Sequence, residues 1–376
     1  GTGSLRGQQV RFDVTTSLGG DKKGALRATL PLKFTVKGRL IDIAFEGALV
    51  ANPVLSLQGP VDIRITDLRQ LGHLFHSGWS AGPGLRDVRL RGDLEWAGQG
   101  LVVSKAQLAM DGNEATGFLT LKLSGARPQV AGTLALKSLV LTPYAAATDD
   151  AGKVASSWRS WLTTGDMTEP LIKHFDADVR ISADKLTLGS IDLGRSASSI
   201  TVTDGRMVAD VAEMEFNGGK GGGQITLDHS IARPRITLRG KLEGVDTART
   251  GTALFGHSYL TGRSTIVADL ATTGYSTQEL AQAVSGKLAV SVREGGRLGL
   301  DLRSLLAAAQ KKEIEGWGTA HRSQTAFDQL DARFSIRNGQ FVTDQVEATI
   351  ADVPVSAIGT ISLPTSLAAR EMMSMW

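Results

Sequence analysis

Three short stretches hold the residue types that chemistry needs. His73-Leu74-Phe75-His76 sets two imidazoles close together, but a zinc site needs three or four ligands. The chain has no cysteine, and no carboxylate cluster flanks the pair. The stretch therefore reads as a surface turn. "GGKGGG" (218–223) has the glycine density of a phosphate loop, yet no Lys-Ser or Lys-Thr pair closes it, so it reads as a hairpin turn. "RDVRLRGDLEW" (86–96) offers a basic patch, but Val88 and Leu90 alternate with its charges as on the wet face of a strand. No Gly-x-Ser-x-Gly elbow occurs, and no histidine has a nucleophile partner. The expectation is a protein that is not an enzyme, with no catalytic residue, no metal site and no cofactor.

Composition narrows the class. The 376 residues are 41% hydrophobic and 21% charged, which excludes both a disordered chain and a membrane-embedded one. Aromatic residues make up 5%, against 44 glycines. That balance favours many short strands joined by tight turns over an aromatic core. A formal charge of +3 is too small to indicate nucleic acid. No apolar run approaches the roughly 20 residues that cross a bilayer. The opening Gly-Thr-Gly-Ser reads as a cloning remnant, so an N-terminal anchor is expected to lie outside this sequence.

The elements follow from a period of two. Leu32, Phe34 and Val36 share one face, as do Ile41, Ile43 and Phe45. Val61, Ile63 and Ile65 oppose Asp62, Arg64 and Thr66; Leu119, Leu121 and Leu123 oppose Thr120 and Lys122. Ile236, Leu238 and Leu242 oppose Arg235, Thr237 and Arg239. Such alternation belongs to an antiparallel sheet with one wet and one dry face. Residues 100–142 lie over 206–248 without a gap, with Arg127-Pro128 on Arg233-Pro234 and Gly132 on Leu238. This is a repeated meander whose single copies could not bury their apolar faces.

Helical signals are few. Thr142-Pro143 makes an N-cap and first-turn pair opening a helical insert over 142–175, in which Val154, Trp158, Trp161 and Leu162 share a face. That face packs on the sheet, or Trp158 and Trp161 serve as a lid or membrane contact. A short helix is expected after Asp246. Ser276 and Glu279 form a capping box. After Gly295-Gly296, where the backbone is expected to reverse, Leu302, Leu305 and Leu306 form a stripe (301–310) that would fold back to close the sheet.

The last third carries a family's pattern. "LTGRSTIVADLATTG" (260–274), "VSGKLAVSVREGGRLGLDL" (284–302) and "TAFDQLDARFSIRNG" (325–339) together resemble the AsmA family over about 171–364. Glu294-Gly295 stands where the family has Asp-Gly, and the tail 365–376 lacks the family's final amphipathic strand. The resemblance implies a periplasmic protein of Gram-negative bacteria, anchored to the inner membrane and similar to bridge-type lipid-transfer proteins built from repeating β-grooves. It implies phospholipids as partners, an outer-membrane protein as a further candidate partner, and no nucleic acid.

The expected fold is mainly β: a long twisted antiparallel sheet curved into an open apolar groove, with a few short capping helices. Its organisation is read as N-terminal groove repeats (1–141), the helical insert (142–175), an AsmA-like C-terminal groove region (176–364) and the tail. Some 18 strands at about 4.8 Å would make a trough roughly 85 Å long. Leu121, Leu134, Leu136, Ile225, Leu227, Leu238, Val290 and Val292 are the candidate lipid-binding residues. The alternative is a non-enzymatic scaffold for outer-membrane protein assembly, in which the dry face packs on itself or on protein strands.

Overall fold

A computed structural model describes residues 1–16, 28–51, 54–75, 84–145, 171–188, 191–255, 258, 260–299, 324–357 and 360–362. Trp158, Trp161 and the 301–310 stripe lie outside the described residues.

All 21 strands join one sheet. The first nine are β1 (Thr2–Leu5), β2 (Gln8–Thr16), β3 (Ala28–Gly38), β4 (Ile41–Ala51), β5 (Leu55–Ile65), β6 (Val88–Ala97), β7 (Gly100–Met110), β8 (Asn113–Lys122) and β9 (Gln129–Val140). Then come β10 (Asp176–Leu188), β11 (Ile191–Thr203), β12 (Arg206–Phe216), β13 (Gly219–Asp228), β14 (Arg235–Asp246), β15 (Leu260–Thr273) and β16 (Ser285–Leu298). The last are β17 (Thr325–Phe327), β18 (Gln329–Arg337), β19 (Gln340–Ile350), β20 (Val353–Ala357) and β21 (Thr360–Ser362). Each strand pairs with the next in sequence through β16. There β17 and β18 share one position beside β16, and β20 and β21 share another beside β19. The sheet does not close on itself. Nineteen strand positions at about 4.8 Å span roughly 85 Å.

Tight hairpins explain the sequential order. Asp111–Gly112, Asp204–Gly205, Asn217–Gly218 and Asn338–Gly339 all have two consecutive residues with positive φ, the two-residue turn whose twist matches that of its strands. The repeat is kept residue for residue: β7, β8 and β9 have the same lengths and spacings as β12, β13 and β14. The glycine run 218–223 is a turn only at Gly218; from Gly219 on it belongs to β13.

The wholly antiparallel expectation needs one correction. β9 and β10 run parallel. The segment 141–175 carries the chain from one rim of the sheet back to the other, so β10 starts beside the start of β9. A parallel pair requires such a crossover of a dozen or more residues.

Four short α-helices occur among the described residues: α1 (Leu68–Phe75), α2 (Thr142–Ala145), α3 (Thr247–Phe255) and α4 (Thr277–Ala283), with a 3-10 turn at Leu171–Lys173. The α1 helix corrects the surface turn read at His73. Asp67 caps it, accepting from Gln70 N–H at 2.8 Å, and Gly72 within it hides the helical signal. As expected, α3 follows Asp246, which accepts from Arg249 N–H at 3.0 Å. The box at α4 forms in altered shape: Glu279 N–H donates to Ser276 Oγ at 3.2 Å, while the Glu279 carboxylate accepts from Tyr275 N–H. Gly295–Gly296 do not reverse the chain. β16 runs through both, with Gly295 at φ +75° in a bulge against β15.

At the end of β9 a side chain replaces a strand partner. Asn113 Nδ2 donates to Val140 O at 3.1 Å, and Val140 N–H donates to Asn113 Oδ1 at 2.7 Å. Asn113 also donates to Tyr144 Oη, whose hydroxyl donates to Met110 O. Asn113 is buried, so its loss strands a donor and an acceptor. Asn113→Ala is expected to lower stability by about 2 kcal/mol, measured by chemical denaturation.

Candidate functional site: the apolar face

Paired residues on neighbouring strands face the same side, so the register can be followed across the sheet. One row runs Phe12, Val36, Ile43, Ile63, Leu90, Leu108, Ala115, Leu136 and Ala183. It continues through Ser196, Met214, Gly221, Leu242, Ile266, Val290, Ala332 and Val346. The row takes one residue per strand position from β2 to β19. It holds no charge and one hydroxyl. A parallel row runs Leu119, Gly132, Val179, Ile200, Ala209, Ile225, Leu238, Leu270, Gly286, Ile336 and Phe341.

Bulges keep the rows in phase. Val103 and Ala106, three apart, both reach the apolar face because Ser104 and Lys105 bulge, Lys105 with positive φ. Val211 with Met214, and Leu242 with Val245, do the same. A bulge adds one residue and bends the strand.

This face is the one on which the larger clusters of side chains are buried. Phe45, Val61, Leu94, Val103 and Ala106, from four successive strands, form one buried cluster, although no second layer covers it among the described residues. A flat single layer would leave such side chains wet. Glycine permits the close approach: a Cβ at Gly117 would lie 1.9 Å from Thr133 O.

The opposite face carries ion pairs. Lys33 meets Glu46 at 2.9 Å, Arg239 meets Asp269 at 3.2 Å and Arg293 meets Asp331 at 2.9 Å. Asp62 takes both Arg89 and Arg91, and the Arg89 hydrogen bond holds its carboxyl below the usual range. These pairs are largely exposed and contribute little stability. Their effect is to mark the wet side.

The eight candidate residues all fall on the apolar face. Leu121 and Leu227 lie in one row (Leu121, Val130, Ala177, Val202, Met207, Leu227). Ile225 and Leu238 are direct partners, Leu136 and Val290 share the long row, and Leu134 stands opposite Gly117. They differ in access. Ile225 is 39% exposed and Leu238 37%, whereas Val292 is fully buried. Val292 packs in a closed cluster with Phe327, Leu330 and Ala348, so it is core, not lining. Thr226, on the charged face, is also buried, which alternation alone would not show. His73 is exposed at the end of α1, and His76 lies outside the described residues. No group of three or more metal-ligating side chains occurs among the described residues, and none of their helices is long and apolar enough to cross a membrane.

A match to the AsmA family model covers residues 133–346, more than half of the chain. The chain belongs to the AsmA family. No curated protein and no solved structure matches it. The matched span begins in β9, earlier than the motifs indicated, and takes in the parallel junction. The strands before it continue the same rows on the same face.

One titratable group stands apart. His229, in the turn after β13, is 5% exposed with Nε2 unpartnered among the described residues. Burial, then the nearby Lys173, pushes its pKa below the ordinary value. The unfolded chain therefore binds the proton more readily. Stability is expected to be full above about pH 6.5 and to fall as pH drops from there toward the depressed folded pKa. Melting temperature against pH should show this slope in the parent and a flatter one in His229→Gln.

Proposed function

We propose that this AsmA-family protein holds the acyl chains of phospholipids against its apolar face, leaves their head groups in water at the open side, and passes lipid along the strand rows between the inner and outer membranes. The observation that carries this reading is the uncharged row from Phe12 to Val346. Acyl chains need only contact that excludes water, which a row of aliphatic side chains supplies. Charge would be costly there without a partner. At roughly 85 Å, the face is several times longer than one lipid, which favours a conduit over a single-ligand pocket. On this reading the protein is periplasmic and non-enzymatic, works from an inner-membrane anchor and binds no cofactor. A second reading, a scaffold for outer-membrane protein assembly, draws on the two closed clusters, where the apolar face packs on itself.

Two positions separate the readings. Ile225 lies on the apolar face at 39% exposure, and Val267 lies on the charged face at 43%, opposite Lys241. Both are branched aliphatics of similar access, so a glutamate at either should be tolerated by the fold. Lipid extracted from the purified protein and identified by mass spectrometry is expected at stoichiometric amounts in the parent and in Val267→Glu. It should fall severalfold in Ile225→Glu with melting unchanged. Lipid-free parent protein, or equal lipid in both variants, would point to the scaffold.

A further inference from the structure

The two rims of the N-terminal half differ. On the rim that carries Val54, the turn 98–99 and the connection 123–128, large apolar side chains stand in water: Val54 at 56% exposure, Leu55 at 59%, Trp96 at 44% and Leu123 at 58%. Leu55 and Trp96 belong to the apolar face, Trp96 directly between Leu57 and Leu101. On the outer face Val102, at 37%, lies near the same rim, and Phe118, at 46%, lies mid-strand. The turn Gly98–Gln99 has no charge, and Arg127 in the next loop is taken up by Asp176 and Asp204. The opposite rim of the same strands carries Asp67, Arg86, Asp87 and Asp111. The α1 helix stands at that rim, with Leu68 N–H donating to Arg86 O at 3.0 Å.

We propose that this lip, from β4 to β9, dips edgewise into the surface of a lipid bilayer and is where acyl chains enter or leave the groove. The proposal rests on the lipid-groove reading and adds the place of exchange. On the outer face of this edge Val102 stands between Glu95 and Thr120, with Lys122 at the strand end, so the side chains that enter the bilayer are those of the inner face and the turns, while the outer charges stay at the head-group level. Trp96 suits that boundary, since aromatic rings with a polar handle concentrate where apolar and wet phases meet. Its indole N–H already donates to Gly98 O at 3.1 Å, so the ring can leave water without stranding a donor. The lip continues directly into the row Leu57, Trp96, Leu101 and Leu121, so a chain drawn from the bilayer meets no charged barrier.

The test is flotation of the full chain with phosphatidylcholine vesicles, beside the triple variant Leu55→Ser/Trp96→Ser/Leu123→Ser and the single variant Leu123→Ser, whose site lies outside the strands. Lipid co-purifying with each protein is measured separately, without vesicles. The triple variant is expected to lose at least tenfold in vesicle-bound fraction and Leu123→Ser severalfold, with melting and co-purified lipid kept in Leu123→Ser. Quenching of tryptophan fluorescence by brominated phosphatidylcholine should be weaker in Trp96→Phe than in the parent, which has six tryptophans. Absent co-purified lipid with flotation intact would remove the groove reading and leave the lip standing. Parent protein that does not float, variants that float as the parent does, or lip variants that change only the oligomeric state would overturn the lip.

Discussion

Everything in this structure depends on keeping one side of a single sheet apolar across its whole width. Side chains alternate with a strict period of two, so a slip of one residue in any strand would turn its aliphatics to water and its charges inward. The repeated meander makes the constraint heavier, because each strand inherits its phase from the one before. The protein meets it with two-residue hairpins of positive φ, which fix register locally, and with bulges, which correct phase inside a strand. Lys105 shows both effects of a bulge. It lets Val103 and Ala106 share a face, and it swings its own ammonium out to Asp93 at 2.9 Å.

Curvature follows from the same constraint. One layer with one apolar face gains most by curling toward that face, since each strand then shields its neighbours' side chains. The rows place glycine at Gly132, Gly221 and Gly286, where the backbones approach closely, and side chains meet as clusters around Phe45 and around Val292. Between them, near Ile225 and Leu238, the face stays partly open. An apolar surface of this extent on a single layer is unusual unless something covers it. The proposed acyl chains would be that cover.

The parallel junction shows how a meander can be extended without ending in an edge. A hairpin at Val140 would have reversed the chain. Instead the crossover starts β10 alongside β9, and the rows pass through it unbroken, Leu136 to Ala183 and Val130 to Ala177. The family match spans this junction.

Alternation alone placed Leu121, Ile225, Leu238 and Val290 on apolar strand faces, and the self-overlay of 100–142 on 206–248 gave three pairs of matching strands. Local rules also reached the helix after Asp246 and the cap at Ser276, because such signals lie within a few residues. The α1 helix escaped them for a local reason, since Gly72 interrupts its eight residues. Elsewhere they failed where the decisive contact is distant. Gly295–Gly296 has the composition of a turn, but pairing with β15 and β17 holds it in a strand. Val292 alternates like its neighbours, and only its contacts with Phe327 and Ala348, supplied by later strands, make it core. Sequence by itself determined that each strand has a dry face, because that depends on the side-chain period within one strand. Which dry faces join, which way the sheet curls and which positions stay open were decided by the tertiary structure, because those depend on pairing between residues far apart along the chain.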